Sequence, residues 1–187
     1  MPAVVHNSVA DLDVIDDSGR PALADASRRT EWLRAHDSSY QAELLWWTGY
    51  SSPQEGISPS ALVSEAEAGR VDVARSFPTA GDGDRRADIE RDHSKILVQS
   101  TYDDGRRNAL QCGEVLSTVL LECTAAGLAT CTLTHMIEIH TSREAVRRLI
   151  GRTALPQVLI RVGRAPQTAS PPPRTPRRAL ADVLQIR

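Results

Sequence analysis

The chain has 187 residues, a quarter of them charged, and a formal net charge of −2 at pH 7. This composition is typical of a folded domain, and it excludes a basic surface over the whole chain of the kind that nucleic-acid binding favours. No apolar run approaches the roughly 18 residues that span a membrane, and the first residues lack the basic and apolar parts of a signal peptide. We therefore expect a single cytoplasmic domain over residues 1–187.

The first half of the chain predicts helices joined by loops. The predicted elements are weak strand material at 3–17, a helix opened by Pro21, a helix from Ser38 to Gly49, and a short helix from Ser58 to Gly69. Ser38 and Gln41 have the spacing of a capping box. Ser58 and Pro59 form an N-cap and first-turn pair. Residues 76–94 are rich in turn formers and charges, which predicts a mobile surface loop.

The second half alternates regularly between strand and helix patterns. They predict strands at 95–100, 128–135 and 157–163, a long helix at 106–126, and a further helix closed by Gly151. The long helix is apolar around more than one face, so we expect other protein surfaces to cover most of it. Gly127 is suited to end it, and Thr141 with Glu144 has the form of a capping box for the next helix. This order predicts a layered core of strands and helices.

Residues 164–187 form an arm that combines prolines with arginines. The stretch "PPPRTPRRAL" holds Arg174, Arg177 and Arg178. Guanidinium groups bind phosphate through forked, charge-assisted hydrogen bonds, and prolines lower the entropy lost when an arm is fixed. A solvated basic tail that pairs with surface carboxylates is the alternative. The apolar residues at 179–186 favour an ordered arm, because they predict a packed segment after the arginines.

A second candidate site is the end of the strand in "GLATCTLTH". Thr132 and Thr134 would lie on one side of this strand and offer hydroxyls and backbone amides where it ends. A β-branched strand packed into the core is the alternative.

Other residues that could take part in catalysis or binding indicate no further site. The five histidines are scattered, and their spacing fits neither a metal site nor a Ser–His–Asp triad. The three cysteines form no CxxC pair, which favours free, buried thiols in a reducing compartment. The tryptophans are expected to anchor a helical layer, with stacking of one of the last two on a planar cofactor as the alternative. They are Trp32, Trp46 and Trp47.

Three C-terminal segments resemble a known family. They are "CGEVLSTVLLECTAAGLATCTLTHMIEI", "LPQVLIRVGRAP" and "PPRTPRRALADVLQIR". Together with "DSSYQAELLWWTG" and "EGISPSALVS", they resemble the C-terminal half of the Acg-type branch of the nitroreductase-fold flavoproteins, and the similarity covers residues 14–187. This resemblance implies an α+β fold, with a central mixed sheet flanked by helices, that forms one half of a two-half, pseudo-dimeric fold.

The resemblance also implies a cofactor and its contacts. Proteins of this family bind FMN between two subunits or between two fused halves, and NAD(P)H reduces it. By similarity, the residues along the isoalloxazine ring are Thr132, Leu133, Thr134 and His135. The arginine arm would hold the FMN phosphate, with Arg177 as the first choice, Arg178 the second and Arg174 the third.

The implied function is that of an FMN-dependent NAD(P)H oxidoreductase, a nitroreductase that passes electrons to a nitro or quinone-like small molecule. No side chain is needed as a general acid or base. The alternatives are a non-catalytic protein that sequesters FMN and a truncated, inactive half. Acg-type proteins are normally longer, their Gly-Ile-Pro is Gly56-Ile57-Ser58 here, and no Gln-Pro-Trp follows Asn7. We therefore expect a homodimer or a partner that supplies the N-terminal half.

Overall fold

The structure, a computed structural model, describes residues 10–49, 56–79, 83–84, 86–165 and 177–184. Its strands are β1 Ala10–Ile15, β2 Lys95–Thr101, β3 Ala129–Leu133 and β4 Leu155–Gly163. Its α-helices are α1 Arg20–Ala35, α2 Ser38–Thr48, α3 Glu65–Gly69, α4 Arg106–Ala125, α5 His140–Ile150 and α6 Leu180–Val183. A 3-10 helix at Pro59–Ala61 precedes α3. The predicted α+β class is confirmed.

The chain divides into two compact units. One unit comprises Met1–Trp32, Asp72–Arg75 and Arg91–Pro166, and it contains the sheet with α4 and α5. The other comprises Leu33–Val71, Ser76–Glu90 and Gln167–Arg187, and it contains α2, α3 and α6. The single domain expected over residues 1–187 stays a prediction.

The four strands form one sheet in the order β1-β2-β4-β3. Every pairing among these described strands is antiparallel, so the mixed sheet implied by the resemblance is not seen among them. Leu159 of β4 lies between Val98 of β2 and Leu133 of β3, and all three side chains are buried on one face of the sheet. The order places β3 at an edge of the described sheet, paired with β4 alone.

Helices cover both faces of the sheet. On one face, side chains of α1 and α5 pack against the strands, and the buried set includes Leu23, Ile96, Val98, Val146 and Leu159. On the other face α4 packs against the strands, and the buried set is Leu97, Val119, Cys123, Val158 and Ile160. Because each face of the sheet is covered, β2 is buried along its length from Ile96 to Thr101.

Glycines end two helices as predicted. Gly127, with φ +69°, follows α4 and donates to the carbonyl of Thr124 at 3.0 Å, while Leu128 donates to the carbonyl of Cys123 at 2.8 Å. This pair of bonds is a Schellman motif, which needs a left-handed residue at its turn. Gly151, with φ +66°, ends α5 in the same conformation.

The cap predicted for α2 is wrong by one residue. Asp37, not Ser38, is the N-cap, and its carboxylate accepts hydrogen bonds from the amides of Ser39 and Tyr40, each at 3.1 Å. A carboxylate accepts these bonds in the same geometry as a hydroxyl and adds a favourable charge at the helix start. Gln41 instead donates to the carbonyl of Arg34.

The capping box predicted for α5 is also wrong. The helix begins at His140 after Ile139, and no side chain caps it, so Thr141 lies inside the first turn. Glu144 accepts from Arg147 instead of reaching back to the helix start.

The predicted helix from Ser58 to Gly69 is two elements. Ser58 precedes the 3-10 helix without a side-chain cap bond. The second element, α3, has its own capping box, in which Ser64 accepts from the Glu67 amide and Glu67 accepts from the Ser64 amide. The extended backbone of Leu62 separates the two elements.

The described residues of the predicted loop 76–94 contain no helix or strand, but its last residues are held in place. Arg20 of α1 donates to both carboxylate oxygens of Asp72 and to Asp92, and it contacts the carbonyl of Ser94. Arg161 of β4 also pairs with Asp92 at 3.1 Å. Two arginines and two aspartates therefore form a largely buried, charge-balanced network in the sheet-containing unit.

The tryptophans do not anchor a helical layer. Their side chains are 46–63% exposed, so the prediction is wrong for all of them, namely Trp32, Trp46 and Trp47. The cysteines are free, but only Cys112 and Cys123 are buried, and Cys131 is exposed. Burial raises the pKa of both buried thiols, which makes them poor nucleophiles.

Candidate functional site

The end of β3 turns immediately after the strand. The carbonyl of Thr134 accepts hydrogen bonds from the amides of Ile137 at 2.8 Å and Glu138 at 3.3 Å. The Thr134 hydroxyl donates to the Glu138 carboxylate at 2.9 Å. These bonds close a turn, and we call residues 132–135 the strand exit.

The strand exit presents alternate side chains to opposite sides. Thr132 and Thr134 are exposed, whereas Leu133 and His135 are buried. This alternation is the period of an extended chain continued past the end of the strand. The structure therefore brings two hydroxyls to one surface and places two of the four predicted ring contacts in the core.

His135 lies against α1. Its Nε2 is 3.0 Å from the Ser27 hydroxyl and 4.0 Å from a carboxylate oxygen of Glu31. The Ser27 hydroxyl also lies 3.2 Å from the carbonyl of Ala74. Three segments of the chain thus meet behind the strand exit, at a buried polar cluster.

Sequence reasoning missed Ser27 and Glu31. Their spacing of four residues puts them on one face of α1, but 108 residues separate Ser27 from His135. The sequence pattern of α1 does not indicate that Ser27 has a polar partner in the segment after β3. Only the packing of α1 on the sheet reveals it.

Arg177 and Arg178 of the arm lie in the second compact unit. Arg177 and Arg178 are exposed and precede α6, and Arg174 lies outside the described residues. The packed segment predicted after the arginines is not found where the structure describes it, because Leu180 and Val183 are exposed.

Two further classes of site are absent from the described ranges. No group of three or more His, Cys, Asp or Glu side chains there could hold a metal ion. No helix there is both long and apolar enough to cross a membrane.

No family model matches the chain. Over 176 residues, or 94% of this chain, it is 56% identical to "Putative NAD(P)H nitroreductase acg" of Mycobacterium tuberculosis strain H37Rv. The chain is a relative of the Acg-type proteins. It is also 53% identical over 183 residues to "Uncharacterized protein Rv3127" of the same strain. The chain spans about half the length of these relatives, since the matches cover 53% of each.

The resemblance to the Acg-type branch is thus confirmed, while its assignment to the C-terminal half stays a prediction. Among solved structures, the chain is similar to the FMN and NADPH-dependent nitroreductase NfnB of Sphigopyxis sp. strain HMH. That alignment has 14% sequence identity and a TM-score of 0.49, and it covers 95% of this chain and 79% of the other.

Proposed function

We propose that this Acg-type chain is part of an FMN-dependent NAD(P)H oxidoreductase of the nitroreductase kind. The observation that carries the proposal is its 56% identity, over 94% of its length, to a protein named as an NAD(P)H nitroreductase. At that identity two chains share a fold over the aligned residues.

The strand exit suits the ring of a flavin. Thr132 and Thr134 are exposed and polar, and β3 has no strand partner on its outer side among the described residues. Such an edge offers backbone N–H and C=O groups for hydrogen bonds. The ring would lie along the exposed threonines, with Leu133 and His135 supporting the exit from behind.

The arginine arm suits the phosphate. Arg177 and Arg178 are exposed, and their guanidinium groups can bind a phosphate with two parallel hydrogen bonds each. Arg177 remains the first candidate, Arg178 the second and Arg174 the third.

When bound, FMN supplies the redox chemistry, in which NAD(P)H is the reductant and a nitro or quinone-like molecule the acceptor. The residues of this chain bind and orient the cofactor. No side chain at the strand exit is required to move a proton, so we assign none as an acid or base.

A second subunit or a second half would complete the site. The outer side of α4 exposes Leu110 and Leu121, at 67% and 68%. Large apolar side chains at this exposure on a central helix favour association. We propose a homodimer, with a separate partner that supplies the N-terminal half as the alternative.

The test is the absorbance of the purified chain between about 350 and 500 nm, where a bound flavin absorbs, together with its mass in solution. We expect a flavin spectrum that bleaches when NADPH or NADH is added without oxygen. A flavin that stays oxidised would favour the non-catalytic, FMN-sequestering alternative. Protein that neither contains nor takes up FMN would overturn the proposal and favour an inactive half.

A further inference from the structure

The polar cluster behind the strand exit joins two distant parts of the chain. Ser27 is 1% exposed and His135 is 2% exposed, and the hydroxyl oxygen of one is 3.0 Å from Nε2 of the other. Burial of both groups is favourable only when they are hydrogen-bonded. Their contact therefore determines where the strand exit lies relative to α1.

The partners of Ser27 determine which nitrogen of His135 carries a proton. A hydroxyl has one proton to donate. The carbonyl of Ala74 can only accept, and it lies 3.2 Å from the Ser27 oxygen. Ser27 therefore donates to Ala74 and accepts from Nε2–H of His135. The Glu31 carboxylate, 4.0 Å from the same nitrogen, favours a proton there as well.

This hydrogen bond acts on the residues that face outward. His135 directly follows Thr134, and Leu133 and Met136 are buried beside it. A slip of the strand exit by one residue would exchange its buried and exposed sides. A buried donor with a directional acceptor resists such a slip in a way that apolar packing alone does not.

We propose that His135 is a positioning residue, held as the Nε2–H form by Ser27, which fixes the strand exit so that Thr132 and Thr134 face the flavin ring. This inference rests on the proposed function, and it replaces the direct ring contact implied by the family resemblance. A core histidine that only stabilises the fold is the alternative.

The test compares two substitutions at one position. His135→Gln keeps an N–H donor at the ε position, whereas His135→Leu keeps the approximate volume without a donor. Each variant is titrated with FMN and with riboflavin, whose ring is the same but which lacks the phosphate. We expect His135→Leu to weaken the binding of both flavins equally, by about tenfold, which is the scale of one lost hydrogen bond. His135→Gln should restore most of the affinity.

Ser27→Ala provides a second, smaller change that removes the acceptor and keeps the imidazole. It should weaken the binding of FMN and of riboflavin in the same proportion. Far-ultraviolet circular dichroism should show an unchanged fold. The imidazole nitrogens are also observed by 15N NMR of the flavin-free chain. We expect a protonated Nε2 in the wild type and a changed Nε2 signal in Ser27→Ala.

The outcomes separate the positioning role of His135 from the proposed function of the chain. Wild-type affinity in folded His135→Leu and Ser27→Ala would overturn the positioning role while leaving the proposed function standing. An unprotonated Nε2 in the wild type would overturn the assigned hydrogen bond. A wild-type chain that binds neither flavin would overturn the proposed function, and the positioning role would fall with it.

Discussion

Arg143 of α5 donates two hydrogen bonds to the carboxylate of Asp104, from Nη1 at 2.7 Å and from Nη2 at 2.6 Å. Its Nε donates to the carbonyl of Pro156 at 2.8 Å. Gln157 adds a further bond to the same carboxylate at 2.8 Å. Asp104 thus ties the loop before α4 to α5 and to the start of β4.

This ion pair predicts an acid-sensitive contribution to stability. Hydrogen bonds from Arg143 and Gln157 lower the pKa of Asp104 from 3.8 to about 2. Because the pKa is lower in the folded state, the carboxylate stabilises the fold above about pH 4, and this contribution is lost as the pH falls from 3.8 towards 2. Since Asp104 is half exposed, solvent screening limits the effect of Asp104→Asn to about 1 kcal/mol, or about 2–4 °C in Tm at pH 7.

Thermal unfolding followed at pH 7 and at about pH 2.5 checks this prediction. The difference between wild type and Asp104→Asn should shrink at the lower pH. Asp17→Asn, which removes an exposed pair with Lys95, is the matched control and should change Tm little. Equal Tm differences for Asp104→Asn at both pH values would contradict the assigned role.

Replacing Arg20 should cause a larger loss of stability, because its charge is buried between two carboxylates. Asp72 accepts two of its hydrogen bonds and Asp92 another. Arg20→Leu would leave Asp72 without its guanidinium partner and Asp92 with Arg161 alone, at a cost of about 3–5 kcal/mol in the free energy of unfolding. Arg29→Leu, at an exposed position of the same helix, should change it by about 0.5 kcal/mol or less. Urea denaturation measures both, and similar values for the two variants would refute a structural role for the network.

Arg177 is predicted to bind the FMN phosphate. A charge-assisted hydrogen bond contributes about 1.5–3 kcal/mol, so Arg177→Ala should weaken FMN binding by roughly 10- to 150-fold. Riboflavin affinity should hardly change. Arg178→Ala should have a smaller effect and Arg174→Ala the smallest. Fluorescence titration gives both affinities. Equal losses for the two flavins would show that Arg177 supports the fold, and no loss in any variant would favour a solvated tail.

Thr134 is predicted to lie beside the ring. Thr134→Arg places a long, charged side chain at an exposed position of the strand exit, so it should abolish flavin retention while the fold persists. Thr134→Ser keeps the hydroxyl that bonds to Glu138 and should retain the flavin. The absorbance of each purified variant is the measurement. An unshifted flavin spectrum in Thr134→Arg would place the ring elsewhere.

Leu121 is predicted to lie in an interface between subunits. Leu121→Glu would bury a charge there and should weaken self-association by about tenfold or more. Ala42→Glu places the same charge at an exposed position of α2 and serves as the control. Sedimentation velocity over a range of concentrations measures the change. A wild-type chain that remains a monomer at high concentration would count against the interface.

The strands and the long helix followed from the sequence because their patterns are strong and local. The apolar run of β2, the wide apolar face of α4 and the glycine after it are readable within a few residues of each position. The caps of α2 and α5 were misassigned for the opposite reason. Asp37 and Ser38 could each cap α2, and α5 begins without any side-chain cap, so the pattern alone does not locate either start.

The candidate site also combines features that are readable from the sequence with features that depend on the fold. Arginines near prolines and threonines at a strand end are visible in the chain itself, and so is the resemblance to the Acg-type branch. Burial of His135 and exposure of Thr134 depend on α1, which supplies Ser27 from 108 residues away. The candidate residues were predicted from the sequence alone, because side-chain type and local period can be read from it. The side that each residue faces depends on the fold, because the buried hydrogen bond joins Ser27 and His135, which are far apart in the sequence.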